Sequence, residues 1–108
     1  MSDALQELSQ QLAQFAHERD WDRFHSPKNL ASALIVEAAE LLEHFQWLTE
    51  EQSRQLDTEQ RKAVAAEMAD VLLYLLQMGN ELGIDVAEAA RAKMLVNAKR
   101  FPVEPKAE

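Results

Sequence analysis

Four carboxylates are set apart by the positions they occupy. In Glu37-Ala-Ala-Glu40 and Glu67-Met-Ala-Asp70 two acids lie three residues apart, a spacing that puts each pair on one face of an α-helix. Leu30, Leu34, Glu37 and Leu41 step by four, three and four residues, and Val64, Glu67, Val71 and Leu75 by three, four and four. Glu37 and Glu67 therefore interrupt apolar stripes. Burying one unpaired ion costs several kcal/mol, against about 5–15 kcal/mol of stability for a whole domain, so four inward acids call for water, protons or cations. Oxygen-only ligands favour Mg²⁺ or Mn²⁺ over zinc. Glu43, one turn past Glu40, extends the acidic face, whereas Glu50, Glu51 and Glu59 lie near helix starts, where the dipole welcomes them in solvent. The competing reading places the four acids at stripe edges, in salt bridges to Lys62, Lys93 or Arg91. Di-iron bundles combine glutamates with Glu-x-x-His pairs, but the residues three after Glu37 and Glu67 are Glu40 and Asp70, so redox iron is disfavoured and His44 reads as a surface histidine.

A second constellation is cationic. Val86, Ala90, Lys93, Asn97 and Arg100 recur at helical spacing, turning a packing stripe into a face suited to phosphate. For Lys99 and Arg100 the simpler reading is that they complement a helix C-terminus. Trp21 and Trp47, at the ends of their segments, are candidates to stack on a flat ligand, against the alternative that each is core.

Helices must position these groups. The first is expected from about Asp3 to Asp20, behind a Ser2 cap, with Leu5, Leu8, Leu12, Phe15 and Ala16 on one stripe. Ser26-Pro27 reads as a cap followed by proline at the first helical position, opening a helix to about Trp47. Thr49-Glu-Glu-Gln52 fits a capping box for a brief turn, and a long helix should run from about Thr58 to Leu82 and end on Gly83. Asp85-Val-Ala-Glu88 resembles another capping box, opening a helix to about Arg100 before Pro102. The expected fold is all-α, a four-to-five-helix bundle in one domain over residues 1–102 with a short tail at 103–108. Val71-Leu-Leu-Tyr-Leu-Leu76 is apolar around its whole circumference, more than three partner helices can cover, so a homodimer or homotetramer is expected.

The formal charge of −8 over 108 residues repels nucleic acid and anionic membranes, and a polyphosphate substrate would need cations between itself and the acids. The longest apolar run is far below the roughly 20 residues that span a bilayer, and the first residues lack the basic start and apolar stretch of a signal peptide. A cytoplasmic location is expected. The absence of cysteine rules out disulfides, thiolate metal sites and cysteine nucleophiles.

Five blocks in order carry a family resemblance: Glu18-Arg-Asp-Trp-Asp-Arg-Phe-His25, Pro27-Lys-Asn-Leu30, Glu37-Ala-Ala-Glu-Leu-Leu-Glu-His-Phe-Gln-Trp47, Glu67-Met-Ala-Asp-Val-Leu-Leu-Tyr-Leu75 and Lys93-Met-Leu-Val-Asn-Ala-Lys-Arg-Phe-Pro102. From about Phe15 to Pro102 the chain resembles the all-α nucleoside triphosphate pyrophosphohydrolases of the MazG type, in their small dCTP pyrophosphatase-like branch. The resemblance implies that Glu37, Glu40, Glu67 and Asp70 bind Mg²⁺ and that a metal-activated water attacks the α-phosphorus, giving monophosphate and pyrophosphate. Which carboxylate activates the water stays open, with Glu40 the candidate. It further implies that Trp21 and Trp47 embrace the base, that Lys93, Asn97, Arg100 and Tyr74 handle phosphate or sugar, that His25 stands near the pocket, and that subunits assemble as dimers or tetramers. dCTP or a modified pyrimidine dNTP is the implied substrate, yet the first-helix position that carries a histidine in dCTP-specific relatives is Leu12 here, and His17 lies more than a turn later. A catalytically silent oligomerisation or nucleotide-sensing module is the alternative.

Overall fold

Side-chain caps start every α-helix of the computed structural model, which describes residues 3–104. Helix α1 spans Ala4–Glu18, α2 Pro27–Glu43, α3 Glu50–Ser53, α4 Thr58–Leu82 and α5 Val86–Arg100, with a 3₁₀ turn at Asp22–Phe24 and no strand among the described residues. The all-α expectation holds. Ser2 lies outside the described residues; Asp3 caps α1 by accepting from the Gln6 backbone N–H at 2.8 Å. Ser26 caps α2, and Thr49 and Asp57 open α3 and α4 with complete capping boxes closed by Gln52 and Gln60. At α5 only half of the expected box forms. Asp85 accepts from the Glu88 N–H at 3.0 Å, while the Glu88 carboxylate turns to Arg91 at 3.4 Å.

Two helix ends differ from expectation. α1 stops at Glu18 because Asp20 takes a left-handed backbone (φ 55°), and the N–H of Trp21 returns to the carbonyl of Ala16 at 3.0 Å. That reversal folds Trp21 back onto the end of its own helix. α2 gives way to tight turns after Glu43, where the N–H of Phe45 bonds Leu42 and that of Leu48 bonds Phe45, so Trp47 leaves the helix. Gly83 ends α4 in the left-handed conformation (φ 67°), as its place after Leu82 required.

α2 and α4 form the main helix pair, and α1 lies against α4, tied by the Asn80 amide donating to the Ser9 carbonyl at 3.0 Å. Among the described residues the buried apolar side chains are Ala16, Leu30, Val64, Leu76 and Ala87, of which Leu30 is the one large side chain fully enclosed. α5 meets the rest of the chain through its first two turns, where Ala87 is buried and Arg91 reaches Asp3 at 3.5 Å. A Cβ on Gly79 would stand 2.7 Å from the Ile84 carbonyl and 2.8 Å from Val86, so only glycine allows this elbow. Beyond it α5 is largely exposed, with Met94 and Leu95 each 71% exposed. The radius of gyration is 17.4 Å, against about 13 Å for a compact globule of this length.

Candidate active site

The two carboxylate pairs meet where α2 crosses α4. One carboxylate oxygen from each of Glu37, Glu67 and Asp70 can be chosen so that all three lie within 4.8 Å of one another. Opposite ligands around Mg²⁺ stand about 4.2 Å apart, so this spacing is on the scale of a coordination shell. Glu40 neighbours Glu37 and Glu67 without joining this closest trio. Glu37 and Glu67 each keep a buried Oε2 with no hydrogen-bond partner. A buried acceptor-only group without a partner is costly, and a hard cation satisfies it.

The electrostatics agree. The neighbouring Glu67 carboxyl holds Glu37 above the usual carboxylate range, with burial adding to the effect, and Glu37 in turn pushes Glu40 upward. Among the described residues no salt bridge reaches any of the four acids: Lys62 pairs with Glu59 at 3.8 Å, and Arg91 with Asp3 at 3.5 Å and Glu88 at 3.4 Å. The reading of these acids as edge-of-stripe ion pairs therefore fails.

Beside the acids opens a cavity of ≈ 240 Å³, whose wall includes Trp21, His25, Glu37, Asp70, Tyr74 and Gln77. Phe15 packs edge-on against Trp21 with ring centroids 5.5 Å apart, and His25 tilts against the same indole at 6.0 Å. The Asn29 amide donates to the Phe24 carbonyl at 2.9 Å, holding the 3₁₀ turn over the start of α2. Aromatic groups and acids lining one cavity suit a flat heterocycle carrying polyanionic charge near a cation.

The sequence candidates divide. Glu37, Asp70, Trp21, His25 and Tyr74 border the cavity, with Glu67 completing the acid trio. Trp47, 87% exposed beyond the end of α2, does not line it. Lys93, Asn97 and Arg100 lie on α5, past the elbow, and do not line it either. His17 faces out and pairs with Asp22 at 3.1 Å. Leu12 lines the cavity as an apolar group. One polar lining residue escaped the sequence reading: Gln77, 4% exposed and three residues beyond Tyr74. Its signal was the one that marked the acids, a polar residue interrupting an apolar helix face.

The molecule is similar to proteins of known structure and name. A pyrophosphatase from Archaeoglobus fulgidus superposes with a TM-score of 0.86 at 36% identity, covering 95% of this chain and 96% of that one. Relatives named dCTP pyrophosphatase 1 include those of Mus musculus, 40% identical over 101 residues, and Homo sapiens, 38% identical over 100 residues. These alignments cover 92% and 91% of this chain but 59% of each relative, so the chain spans about three-fifths of the length of the curated proteins it matches. The model of the MazG-like family matches residues 33–108, which include both carboxylate pairs and the whole of α4 and α5. With that match over most of its length, the chain belongs to the MazG-like family.

Proposed function

We propose that this protein is a Mg²⁺-dependent nucleoside triphosphate pyrophosphohydrolase that adds water across the α–β phosphoanhydride and releases a monophosphate and pyrophosphate. The observation that carries this reading is the convergence of Glu37, Glu67 and Asp70, from two helices, on the edge of an aromatic-walled cavity. A divalent ion held by these acids, Mg²⁺ with Mn²⁺ as a substitute, would lower the pKa of water and offset phosphate charge. Trp21 supplies a face for the base, Tyr74 and His25 line the path from base to acids, and Glu40 flanks the trio as the acceptor for a proton from water. Little covalent chemistry is asked of the protein, since phosphoryl transfer to water is governed by positioning and charge. The names of the relatives point to dCTP as substrate and to this bond.

The phosphate-handling face belongs to a second copy of the chain. Lys93, Asn97 and Arg100 stand apart from the cavity, on a helix whose Met94, Leu95 and Val96 are 71%, 71% and 54% exposed. The accessible surface is 8803 Å², roughly 2,700 Å² more than a compact chain of this mass exposes, an excess on the scale of an obligate interface. A homodimer or homotetramer in which α5 and Trp47 of one copy close the cavity of another covers that surface and completes the site.

The test is a panel of deoxynucleoside triphosphates with Mg²⁺, with nucleotide and phosphate products identified. Monophosphate plus pyrophosphate from a pyrimidine substrate, and loss of turnover in a folded Glu40→Gln variant, are expected. Orthophosphate as product, unchanged turnover in the variant, or no product from any triphosphate overturns the reading; the last leaves a silent helical module.

A further inference from the structure

Gln77 is a polar group of the cavity wall to which the proposed function gives no part. It lies on α4 two turns beyond Asp70, about 10 Å along the axis, with Tyr74 between them on the same face. The side chain is only 4% exposed, and its Oε1 has no hydrogen-bond partner. Leaving an amide oxygen buried and unpaired is destabilising, and a residue that keeps such an oxygen at a cavity wall is poised for a ligand donor. Apart from the acids, Tyr74 and His25, the rest of the wall is apolar or aromatic: Leu12, Phe15, Ala16, Leu73 and Trp21. The other hydrogen-bonding groups on the wall, apart from the acids, are the Trp21 indole N–H, the Tyr74 hydroxyl and His25, whose Nδ1 is also buried without a partner; of these side chains Gln77 alone presents an acceptor and a donor side by side on one planar group.

We propose that Gln77 reads the base, its amide forming a two-point pair with the amine and adjacent ring nitrogen of an amino pyrimidine while Trp21 covers the ring face. This inference rests on the pyrophosphohydrolase reading and assigns its specificity. A primary amide presents an acceptor and a donor side by side. The exocyclic amine of cytosine donates to Oε1, and the Nε2–H donates to ring N3. The terminal torsion of glutamine is two-fold, and turned over the amide would pair with O4 and N3–H of a keto pyrimidine instead, so comparing dCTP with dUTP tests which way the amide is held. The cavity, ≈ 240 Å³ including its acidic end, falls below the 300–1,000 Å³ of drug-sized ligand sites, which favours one ring over a fused pair. With the base at Gln77 and the phosphates at Glu37 and Asp70, the nucleotide lies along α4.

Gln77→Met keeps the volume and removes the amide, and Gln77→Leu is a second apolar variant should the first not fold. The measurement is kcat and KM for dCTP, dTTP and dUTP with Mg²⁺ in the full chain. Expected is a fall of about 5- to 150-fold in kcat/KM for dCTP, the discrimination a two-point pair supplies, carried by KM with kcat little changed and with dTTP and dUTP unaffected. A thermal midpoint no lower than wild type is expected as well, because the buried unpaired oxygen is gone. An equal fall for all three substrates, or an unchanged ratio of dCTP to dUTP, would show that Gln77 does not tell an amino from a keto pyrimidine and overturns the inference. A loss confined to dUTP overturns the amino-pyrimidine assignment. Wild-type protein that hydrolyses dCTP no better than dUTP sinks the inference while the activity stands, whereas no pyrophosphate from any triphosphate sinks the underlying function.

Discussion

The carboxylate end of the α2–α4 pair and the outer length of α5 are both helical and both carry residues fit for nucleotide chemistry, but one is a built site and the other an unfinished face. At the first, unpaired acids face one another across two helices with aromatic groups alongside. At the second, Lys93, Asn97 and Arg100 share a helix with large apolar side chains in solvent. Repelling carboxylates can be packed together only where protons, water or a cation offset the charge. Exposed Met, Leu and Val on a regular helix imply a protein partner. On the proposed assembly, the functional residues are shared between chains and not gathered in one.

The sharpest way to break this comparison is to damage the two regions in different copies. Lys93→Ala and Glu67→Gln should each cost about 10²–10³-fold in turnover, as removal of a preorganised charge partner does, and mixing the two inactive proteins should restore activity in hybrid assemblies. No recovery on mixing, with exchange of subunits verified, would mean each chain works alone. Next, Leu95→Asp should move the molecular mass by light scattering to that of one chain, because burying its unpaired charge in an interface costs several kcal/mol. Mg²⁺ binding, which the proposed site assigns to α2 and α4, should survive in that variant; its loss would contradict the separation of the two regions.

Acidity bears on the first region alone. Glu37 and Glu40 are both raised above their ordinary value of 4.5, chiefly by neighbouring carboxyls. For a group raised on folding, the stabilising contribution is fully present below the unfolded value and is lost as pH rises through the folded one. The metal-free protein therefore forfeits stability from these groups as pH rises above about 4.5, and Mg²⁺, which competes with the protons, should bind more weakly as pH falls through the same window. Thermal midpoints with and without Mg²⁺ should converge on acidification, and a pH-independent gap would show that the raised groups are not ligands. The smallest effect belongs to the joint between the regions. Gly79→Ala should cost about 1–3 kcal/mol in denaturant unfolding, since its methyl meets the Ile84 carbonyl; a neutral result would mean the elbow yields freely.

Much of this was readable before folding. Glu37 and Glu67 broke apolar stripes, and a helix period converts that into an inward carboxylate without knowledge of what lies opposite. Gly83 after a periodic run and Ser26-Pro27 before one fixed the ends of α4 and the start of α2 from local chemistry. Gln77 was passed over because an amide on an apolar face is common, and only the cavity around it and the orphaned oxygen make it informative. The early end of α1 was hidden because aspartate is an infrequent left-handed residue, although that turn is what returns Trp21 to Ala16.

Periodicity and caps alone thus determined the all-α class, the order of the helices and the two acidic pairs, because these depend on neighbours within a turn or two. Which groups share a site was decided by tertiary structure. Glu37 and Glu67 are thirty residues apart in the chain and meet only through the packing of α2 on α4. Lys93 and Asn97, which the resemblance placed with them, diverge because the glycine elbow sends α5 outward. Spacing along a chain encodes which face a side chain takes, but the crossing of two helices is set by the side chains packed between them.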